Sequence, residues 1–301
     1  MGDIPHDIRM YTAADCDRLQ FLQAYLADMG VESAIVSVAG RKHLYVNFPT
    51  SAYNPLFKIK TVITHYDRVA GSPGANDNSA ANLQIAAWAG RLNAAAQRGV
   101  RHNVRIFFTD GEELGEDGVS EQGAFGLAEL FRKLGITRDD VYVFDACGRG
   151  DVAVLARAGL GALKSAGAGF KKQFASLYQR TQELLRAASP ERWLTLPVPY
   201  SDNAGFLACG IPAVAITLLP NDEANAYLRS LMTEPALEAA VMNAERADGT
   251  KSLPRVQYEG LLPKTWRLFH TPHDSERSLT AESFAVMERI LDALAAARTP
   301  A

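Results

Sequence analysis

Six short segments of the chain place histidine, aspartate or glutamate where a predicted strand runs out into a loop. Two imidazoles and several carboxylates at strand ends can converge on one zinc-type site, because zinc accepts both imidazole nitrogen and carboxylate oxygen. A spare glutamate beside a ligating one could then carry protons, so these residue types indicate metal-assisted hydrolysis. The segments are HYD at 65–67, GANDN at 74–78, DGEE at 110–113, FDA at 144–146, SDN at 201–203 and HTPHD at 270–274.

The two histidine segments supply the imidazoles. His65 and Asp67 are two residues apart, so their side chains face the same way if the strand continues. Asp67 is therefore predicted to accept the second ring N–H of His65 and to fix its tautomer. Asp274 is expected to repeat this arrangement for His270, and the spacing leaves His273 an equal candidate for the ligand.

The acidic segments supply the carboxylates. Asp77 is the candidate for a carboxylate shared by two metal ions, because the residues around it predict a tight turn that would hold a short side chain rigidly. Glycine and asparagine are also ordinary turn formers, and that interpretation competes with the metal one. Glu112 and Glu113 follow an apolar strand and point differently in a sharp turn, so one can ligate while the other handles protons. Asp145 follows the next predicted strand.

The elements that must position these residues alternate between strand and helix. Short apolar runs at 60–64, 104–108, 141–144 and 213–218 predict buried strands. Amphipathic segments between them predict helices, and a last helix is expected after Thr280. This alternation is typical of a largely parallel sheet with helices on both faces, in which sites form beyond the carboxyl ends of the strands.

The remaining segments are assigned more loosely. The residues 12–15 (TAAD) predict a capping box that opens the first long helix, and a hairpin is expected at 34–38 and 44–47. Residues 220–260 show no repeated period and are predicted to form an excursion over the site. His6, His43 and His102 lie in polar or loop surroundings, so we expect them to face solvent.

The overall composition excludes several function classes. A net charge of -3 argues against nucleic acid or an anionic membrane as the main partner. No run of residues is long and apolar enough to span a bilayer, and the start of the chain lacks the blocks of a signal peptide, so a cytoplasmic protein is expected. A secreted or periplasmic protein trimmed of its leader would look the same. The three cysteines, none in CxxC spacing, are expected to be reduced.

The ordered motifs HYD, PGANDN, DGEE, FDA, SDN and HTPHD resemble those of the co-catalytic di-zinc exopeptidases typified by bacterial leucyl aminopeptidases. That family shares its clan with the glutaminyl cyclases, and the resemblance covers about residues 60–295. From the length of the chain and the lack of a linker we expect one catalytic domain over 1–301, with 220–265 as an excursion over the active site. The implied fold is three-layer α/β/α with a central mixed, mostly parallel sheet. The implied substrate is a peptide or an aminoacyl compound.

The resemblance also implies a role for each site residue. Glu112 matches the general base, Asp67 supports the site, and His270 rather than His273 matches the second imidazole ligand. A cis peptide bond is expected after Asp77. The implied ligands of two zinc ions are His65 and Asp145 for one ion, Glu113 and His270 for the other, and Asp77 as the bridge between them.

Three departures from the family pattern bear on the substrate. Asn203 and Gly205 stand where SDH and a following proline are usual, and the chain carries an insertion at 114–122 that is similar to one in glutaminyl cyclases. Phe269 stands where cyclases have tryptophan. The leading hypothesis is a zinc aminopeptidase; the alternatives are a single-zinc glutaminyl-peptide cyclase and an inactive binding module. Retention of Glu112 argues against the last.

Overall fold

One mixed sheet forms the centre of the molecule. The computed structural model describes residues 4–113, 118–157, 166–190, 192–242 and 257–301. Its strands are β1 (Ser33–Val38), β2 (Arg41–Val46), β3 (Lys60–His65), β4 (Val104–Thr109), β5 (Asp140–Phe144), β6 (Val152–Ala156), β7 (Trp193–Leu196) and β8 (Ala213–Leu219). Their order in the sheet is β1-β2-β4-β3-β5-β8-β6-β7. Strands β4, β3, β5 and β8 are parallel neighbours, as are β6 and β7, whereas the other pairs are antiparallel.

Helices cover both faces because the central strands are apolar on both sides. Every residue of β3, β5 and β8 is buried, and neighbours such as Val62 and Ile63 belong to the two opposite cores. One core takes α1 (Ile8–Tyr11), α2 (Arg18–Asp28), α3 (Ala80–Gln97), α5 (Ala168–Ala188) and α10 (Ala281–Ala296). The other takes α4 (Gly123–Lys133), α6 (Asn203–Ala208), α7 (Asn221–Thr233), α8 (Ala236–Met242) and α9 (Lys264–Leu268).

This architecture confirms the predicted three-layer α/β/α class with a mostly parallel sheet. The four strands predicted as buried are β3, β4, β5 and β8. In the parallel register of β3 and β4, His65 pairs with Thr109, so both strands end at one edge of the sheet. No helix in the described ranges has the length and apolar character needed to cross a membrane.

The first long helix begins later than predicted. Its cap is Asp17, whose carboxylate accepts the backbone N–H of Gln20 at 3.0 Å, and α2 starts at Arg18. The predicted capping box is wrong, because Thr12 instead closes the short helix α1 by donating its hydroxyl to the carbonyl of Ile8 at 2.7 Å. The expected hairpin is present as β1 and β2.

The second half of the chain is more regular than expected. Strands β6 and β7 extend the sheet beyond β8, and α7 and α8 occupy part of the stretch in which no period was seen. Strand β6 is an apolar run that follows β5 after a short loop. From the sequence this run could equally be a loop that lines the site, and its antiparallel pairing with β8 identifies it as a strand. Residues 243–256 of the predicted excursion, and 114–117 of the predicted insertion, lie outside the described residues.

Two histidines expected to face solvent are buried. His43 and His102 are 0% and 2% exposed, respectively, while His6 is exposed as predicted. Each ring accepts a backbone N–H through its Nδ1, His43 from Asp110 at 3.3 Å and His102 from Val104 at 3.1 Å. Burial lowers the pKa of both rings to about 4, so they stay neutral. The residues next to a histidine in the sequence show whether its surroundings along the chain are polar. They do not show which helices and strands pack over its ring.

Candidate metal centre

The seven predicted site residues meet at the carboxyl edge of the sheet. His65 is the last residue of β3, Asp145 follows β5, and the loop after β4 carries Glu112 and Glu113. Asp67 follows β3 by two residues. Because neighbouring parallel strands end at the same edge, these side chains face one another. Asp77 and His270 enter from the loops before α3 and after α9, respectively.

Asp77 lies between the two imidazoles. Its Oδ1 is 3.2 Å from His65 Nε2, and its Oδ2 is 3.4 Å from His270 Nε2. Asp145 Oδ1 approaches the same His65 nitrogen at 3.5 Å, and Glu113 Oε2 approaches His270 Nε2 at 2.8 Å. The side chains therefore form two donor sets that share one carboxylate, each with one imidazole and a second carboxylate.

The donor sets have the composition that zinc prefers. Ligand atoms of His65, Asp77 and Asp145 lie within 4.8 Å of one another, as do those of Asp77, Glu113 and His270. Both ring nitrogens of His65 and Oδ1 of Asp145 are buried without a hydrogen-bond partner in the described structure. Buried polar atoms are costly when unpaired, and imidazole and carboxylate together suit a hard or borderline cation such as zinc. The residues present therefore fit zinc.

Asp67 makes contacts that the sequence did not indicate. Its Oδ1 is 3.6 Å from His65 Nδ1, which is ion-pair distance rather than a hydrogen bond. The same carboxylate accepts the backbone N–H of Glu112 at 3.3 Å and that of Glu113 at 3.0 Å. Burial opposes ionisation, but His65 and these backbone N–H groups lower the pKa of Asp67. Asp67 thus holds the turn that presents both glutamates, in addition to facing His65.

Asp274 holds the Asp77 turn instead of orienting His270. Its two carboxylate oxygens accept the backbone N–H groups of Asn76 at 2.9 Å and Asp77 at 3.0 Å. The predicted pairing with His270 is therefore wrong, because the loop turns the carboxylate away toward the turn before α3. Gly74 has a φ of +59°, and a Cβ there would meet the carbonyl oxygen of Asp77 at 2.5 Å. The peptide bond between Asp77 and Asn78 is cis, as the resemblance implied.

Two asparagines join the Asp77 turn to the Asp145 loop. Asn78 donates its side-chain amide to the carbonyl of Phe144 at 2.9 Å and accepts the N–H of Ala146 at 3.2 Å. Asn76 accepts the N–H of Gly148 at 2.7 Å. In the sequence these asparagines are ordinary turn formers, and their bonds to the Asp145 loop were not predicted. The signal was present, because Asn76 and Asn78 flank the candidate ligand directly.

The electrostatics of the site differ between its members. Burial, together with the charges of Glu113 and Asp145, raises the pKa of Glu112 well above its usual range. Burial and the charge of Asp77 raise the pKa of Glu113 to about 7. The pKa of His65 is also raised, because three neighbouring carboxylates outweigh the effect of burial. Hydrogen bonding to Asp77 and Glu113 raises the pKa of His270 to about 10. The site thus holds more carboxylates than cations to balance them.

The altered segment at 201–203 lies behind Glu112. Asp202 is 0% exposed and accepts the hydroxyl of Thr109, the residue that ends β4. Burial raises the pKa of Asp202 to about 7. Asn203 turns its side-chain oxygen back to the N–H of Ser201 at 3.1 Å. Gly205 is explained by packing, because a Cβ there would meet the backbone nitrogen of Phe125 in α4 at 2.5 Å.

Comparison with protein families places the chain in a known group. The model of the family described as "Peptidase family M28" matches residues 54–295. A search of the curated proteins found no match.

Solved structures share the fold at low sequence identity. A leucine aminopeptidase precursor from Bacteroides thetaiotaomicron aligns with a TM-score of 0.62 at 12% identity, over 99% of this chain and 100% of that one. The LapA aminopeptidase of Legionella pneumophila aligns with a TM-score of 0.61 at 14% identity, over 98% and 75%. A glutaminyl cyclase from Porphyromonas gingivalis aligns with a TM-score of 0.56 at 13% identity, over 95% and 94%. At these identities the likeness extends to the fold.

Proposed function

The chain belongs to peptidase family M28, and from that premise we propose that it is a two-zinc aminopeptidase that releases N-terminal residues from peptides. The family and the zinc aminopeptidase among its structural neighbours support zinc-dependent peptide hydrolysis. The number of ions, the exopeptidase activity and the roles of individual residues are the proposal.

The observation that carries the proposal is the position of Asp77 between two imidazoles. Each of its carboxylate oxygens faces a different histidine nitrogen, at 3.2 and 3.4 Å. A carboxylate that bridges two ions with one oxygen on each presents its oxygens in this way. Asp145 completes one set, with His65, and Glu113 completes the other, with His270. The excess of carboxylates over imidazoles favours two dications over one.

Glu112 is the proposed general base. Two zinc ions, when bound, would supply the Lewis acidity that acidifies water and polarises the scissile carbonyl. A carboxylate oxygen of Glu112 lies within 4.8 Å of ligand atoms of His65 and Glu113, so it faces the space between the two donor sets, where it could take a proton from the attacking water. Its raised pKa suits a group that takes a proton from water and returns it to the leaving amine. Asp67, through the two backbone N–H groups it accepts, keeps Glu112 facing this space.

Metal stoichiometry combined with a substrate panel tests the proposal. Purified protein is analysed for zinc and incubated with free and N-acetylated peptides and with glutaminyl peptides. We expect two zinc ions per chain and release of the first residue only from peptides with a free amine. Cleavage of N-acetylated peptides at the same rate as free peptides would contradict the exopeptidase assignment. Full zinc occupancy with no turnover of any substrate would favour a binding module.

A cyclase is the second candidate function. The glutaminyl cyclase of Porphyromonas gingivalis aligns with 95% of this chain over 94% of its own length. This favours the cyclase over the other alternative, an inactive binding module. One zinc ion per chain, with ammonia released from glutaminyl peptides and no peptide bond cut, would support the cyclase and overturn the aminopeptidase.

A further inference from the structure

Arg18 is a buried cation behind the metal centre. It is the first residue of α2 and is 6% exposed. Its guanidinium donates to the carbonyl of Asp67 at 3.0 Å, to the carbonyl of Gly74 at 3.3 Å and to the hydroxyl of Ser79. Ser79 in turn donates to the carbonyl of Gly74 at 2.5 Å. Backbone carbonyls and a hydroxyl, rather than a carboxylate, thus surround this charge.

The acceptors of Arg18 belong to the two loops that present the metal-binding residues. Asp67 follows His65 and holds the turn of Glu112 and Glu113 through their backbone N–H groups. Gly74 directly precedes the turn at 75–79 that carries Asp77. Its carbonyl therefore lies at the junction between the loop and that turn. One guanidinium therefore connects the loop behind His65 to the turn that holds the shared carboxylate.

A second arginine makes the connection reciprocal. Arg68 lies in the loop after β3 and donates back to the carbonyls of Thr12 at 2.8 Å and Ala13 at 2.7 Å. The guanidinium of Arg18 also stacks on the ring of Tyr11, 4.6 Å from its centre, and Tyr11 is completely buried. Hydrogen bonds thus run in both directions between the N-terminal segment and the two loops that present the metal-binding residues.

We propose that Arg18 is a positioning residue that sets the metal affinity of the site by clamping the Asp67 loop to the Asp77 turn. The inference rests on the proposed zinc site. Residues 8–18 lie outside the part of the chain matched by the family model, 54–295.

Arginine suits this role because its planar fork reaches several acceptors at once. Lysine carries the same charge but cannot place donors on two loops in fixed directions. Groups that orient metal ligands without touching the metal typically change metal affinity about 10–100-fold when removed. The expected effect of losing the guanidinium is of that size.

The experiment measures zinc affinity by competition with a chromogenic chelator, on the full chain. Arg18→Gln removes the charge and most donors, Arg18→Lys keeps the charge, and Ser79→Ala removes one acceptor. Lys60→Gln is the matched control, because Lys60 is also a buried cation that donates to three carbonyls, those of Leu294, Ala295 and Ala297, but at the opposite end of β3. Thermal unfolding of the metal-free proteins is recorded in parallel.

We expect Arg18→Gln to weaken zinc binding about 10–100-fold, with partial recovery in Arg18→Lys and a smaller loss in Ser79→Ala. Lys60→Gln should lower the unfolding temperature and leave zinc affinity within about twofold of wild type, as for sites that share no partners. Equal affinity in wild type and Arg18→Gln would overturn the inference and leave the proposed function intact. If Arg18→Gln does not fold, unchanged affinity in both Arg18→Lys and Ser79→Ala overturns it. A wild-type protein that binds no zinc would overturn the proposed function and the clamp together.

Discussion

The two ends of the central sheet both bury charged residues but balance them differently. Strand β3 begins with Lys60 and ends with His65, so a single strand joins the two environments. At the amino end, Asp140 is paired with Arg180 at 2.7 Å and with Lys58 at 3.2 Å. Asp139 there is paired with Arg105. Each buried carboxylate at this end has a cation of the chain beside it.

At the carboxyl end, no lysine or arginine among the described residues forms an ion pair with Asp77, Glu112, Glu113 or Asp145. The carboxylates there face two imidazoles and each other, and the resulting repulsion and burial raise the pKa of Glu112, of Glu113 to about 7 and of Asp202 to about 7. Buried acids that are paired at one edge and in excess at the other support the proposal that external cations bind at the second edge. The paired charges at the first edge stabilise the fold, whereas the second edge carries the proposed zinc ligands.

Substitution of Asp77 should have the largest effect, which is on zinc binding at the carboxyl end of the sheet. Because its two oxygens face the two histidines, Asp77→Ala is expected to weaken binding of both zinc ions by more than the ~100-fold typical of residues that only orient ligands. Elemental analysis of the dialysed protein measures this. Asp140→Asn, at the paired end, should keep full occupancy. Loss of one ion only in Asp77→Ala would contradict the shared position.

Substitution of Glu112, the proposed general base, should have the next largest effect, which is on turnover. Glu112→Gln is expected to lower kcat by about 10²–10⁴-fold, the usual contribution of a general base, with zinc content unchanged. Steady-state kinetics and metal analysis of the same sample test this. Glu121→Gln is the control, because Glu121 is exposed further along the chain after the same strand. Turnover near the wild-type rate in Glu112→Gln would remove Glu112 from the mechanism.

Asp202→Asn should stabilise the metal-free protein. The folded state holds the Asp202 proton up to about pH 7, whereas the unfolded state releases it near 3.8, so stability due to this group falls as pH rises between those values. Asparagine keeps an acceptor for Thr109 without the charge. The free energy of unfolding at pH 8 should therefore rise, by roughly 2–4 kcal/mol. Denaturant unfolding at pH 4 and pH 8 measures this, and a gain of equal size at both pH values would argue against a charge effect.

Asp140→Asn at the paired end should have a smaller effect than the three substitutions at the carboxyl end. The substitution leaves Arg180 and Lys58 without their carboxylate, but both side chains are 23% exposed and can regain water. We expect a loss of about 1–3 kcal/mol, below the ~3–5 kcal/mol of a fully buried pair. Asp151→Asn, which breaks the more exposed pair with Arg192, should cost at most about 1 kcal/mol. Chemical denaturation of both variants compares them directly, and a larger loss in Asp151→Asn would invalidate the comparison.

Much of the fold and of the candidate site was predictable because the signals are local. The apolar runs of β3, β4, β5 and β8 have the length of buried strands, and the first three end at or just before an acid or a histidine. The metal-binding roles of the site residues stay predictions, although the structure places all of them together. Strand β7 was missed because its run, Trp193–Leu196, is only four residues long.

Other features depended on contacts that no sequence window contains. The burial of His43 results from the packing of β2 against β4, and Asp274 faces the Asp77 turn from nearly two hundred residues away. Arg18 reads as an ordinary residue at the start of a helix, because its acceptors are fifty residues further on. A side chain alone does not show which distant backbone will accept its hydrogen bonds.

By itself, the sequence determined which residue types stand at the strand ends, and hence that a metal-dependent hydrolase of this fold class was expected. The tertiary structure decided how those residues are held: Asp77 between two imidazoles, Asp67 on the glutamate turn, and Arg18 across two loops. The physical reason is that strand periodicity and residue chemistry are local properties. Hydrogen bonds that orient a ligand join segments far apart in the chain, and they exist only when the whole sheet and its loops have assembled.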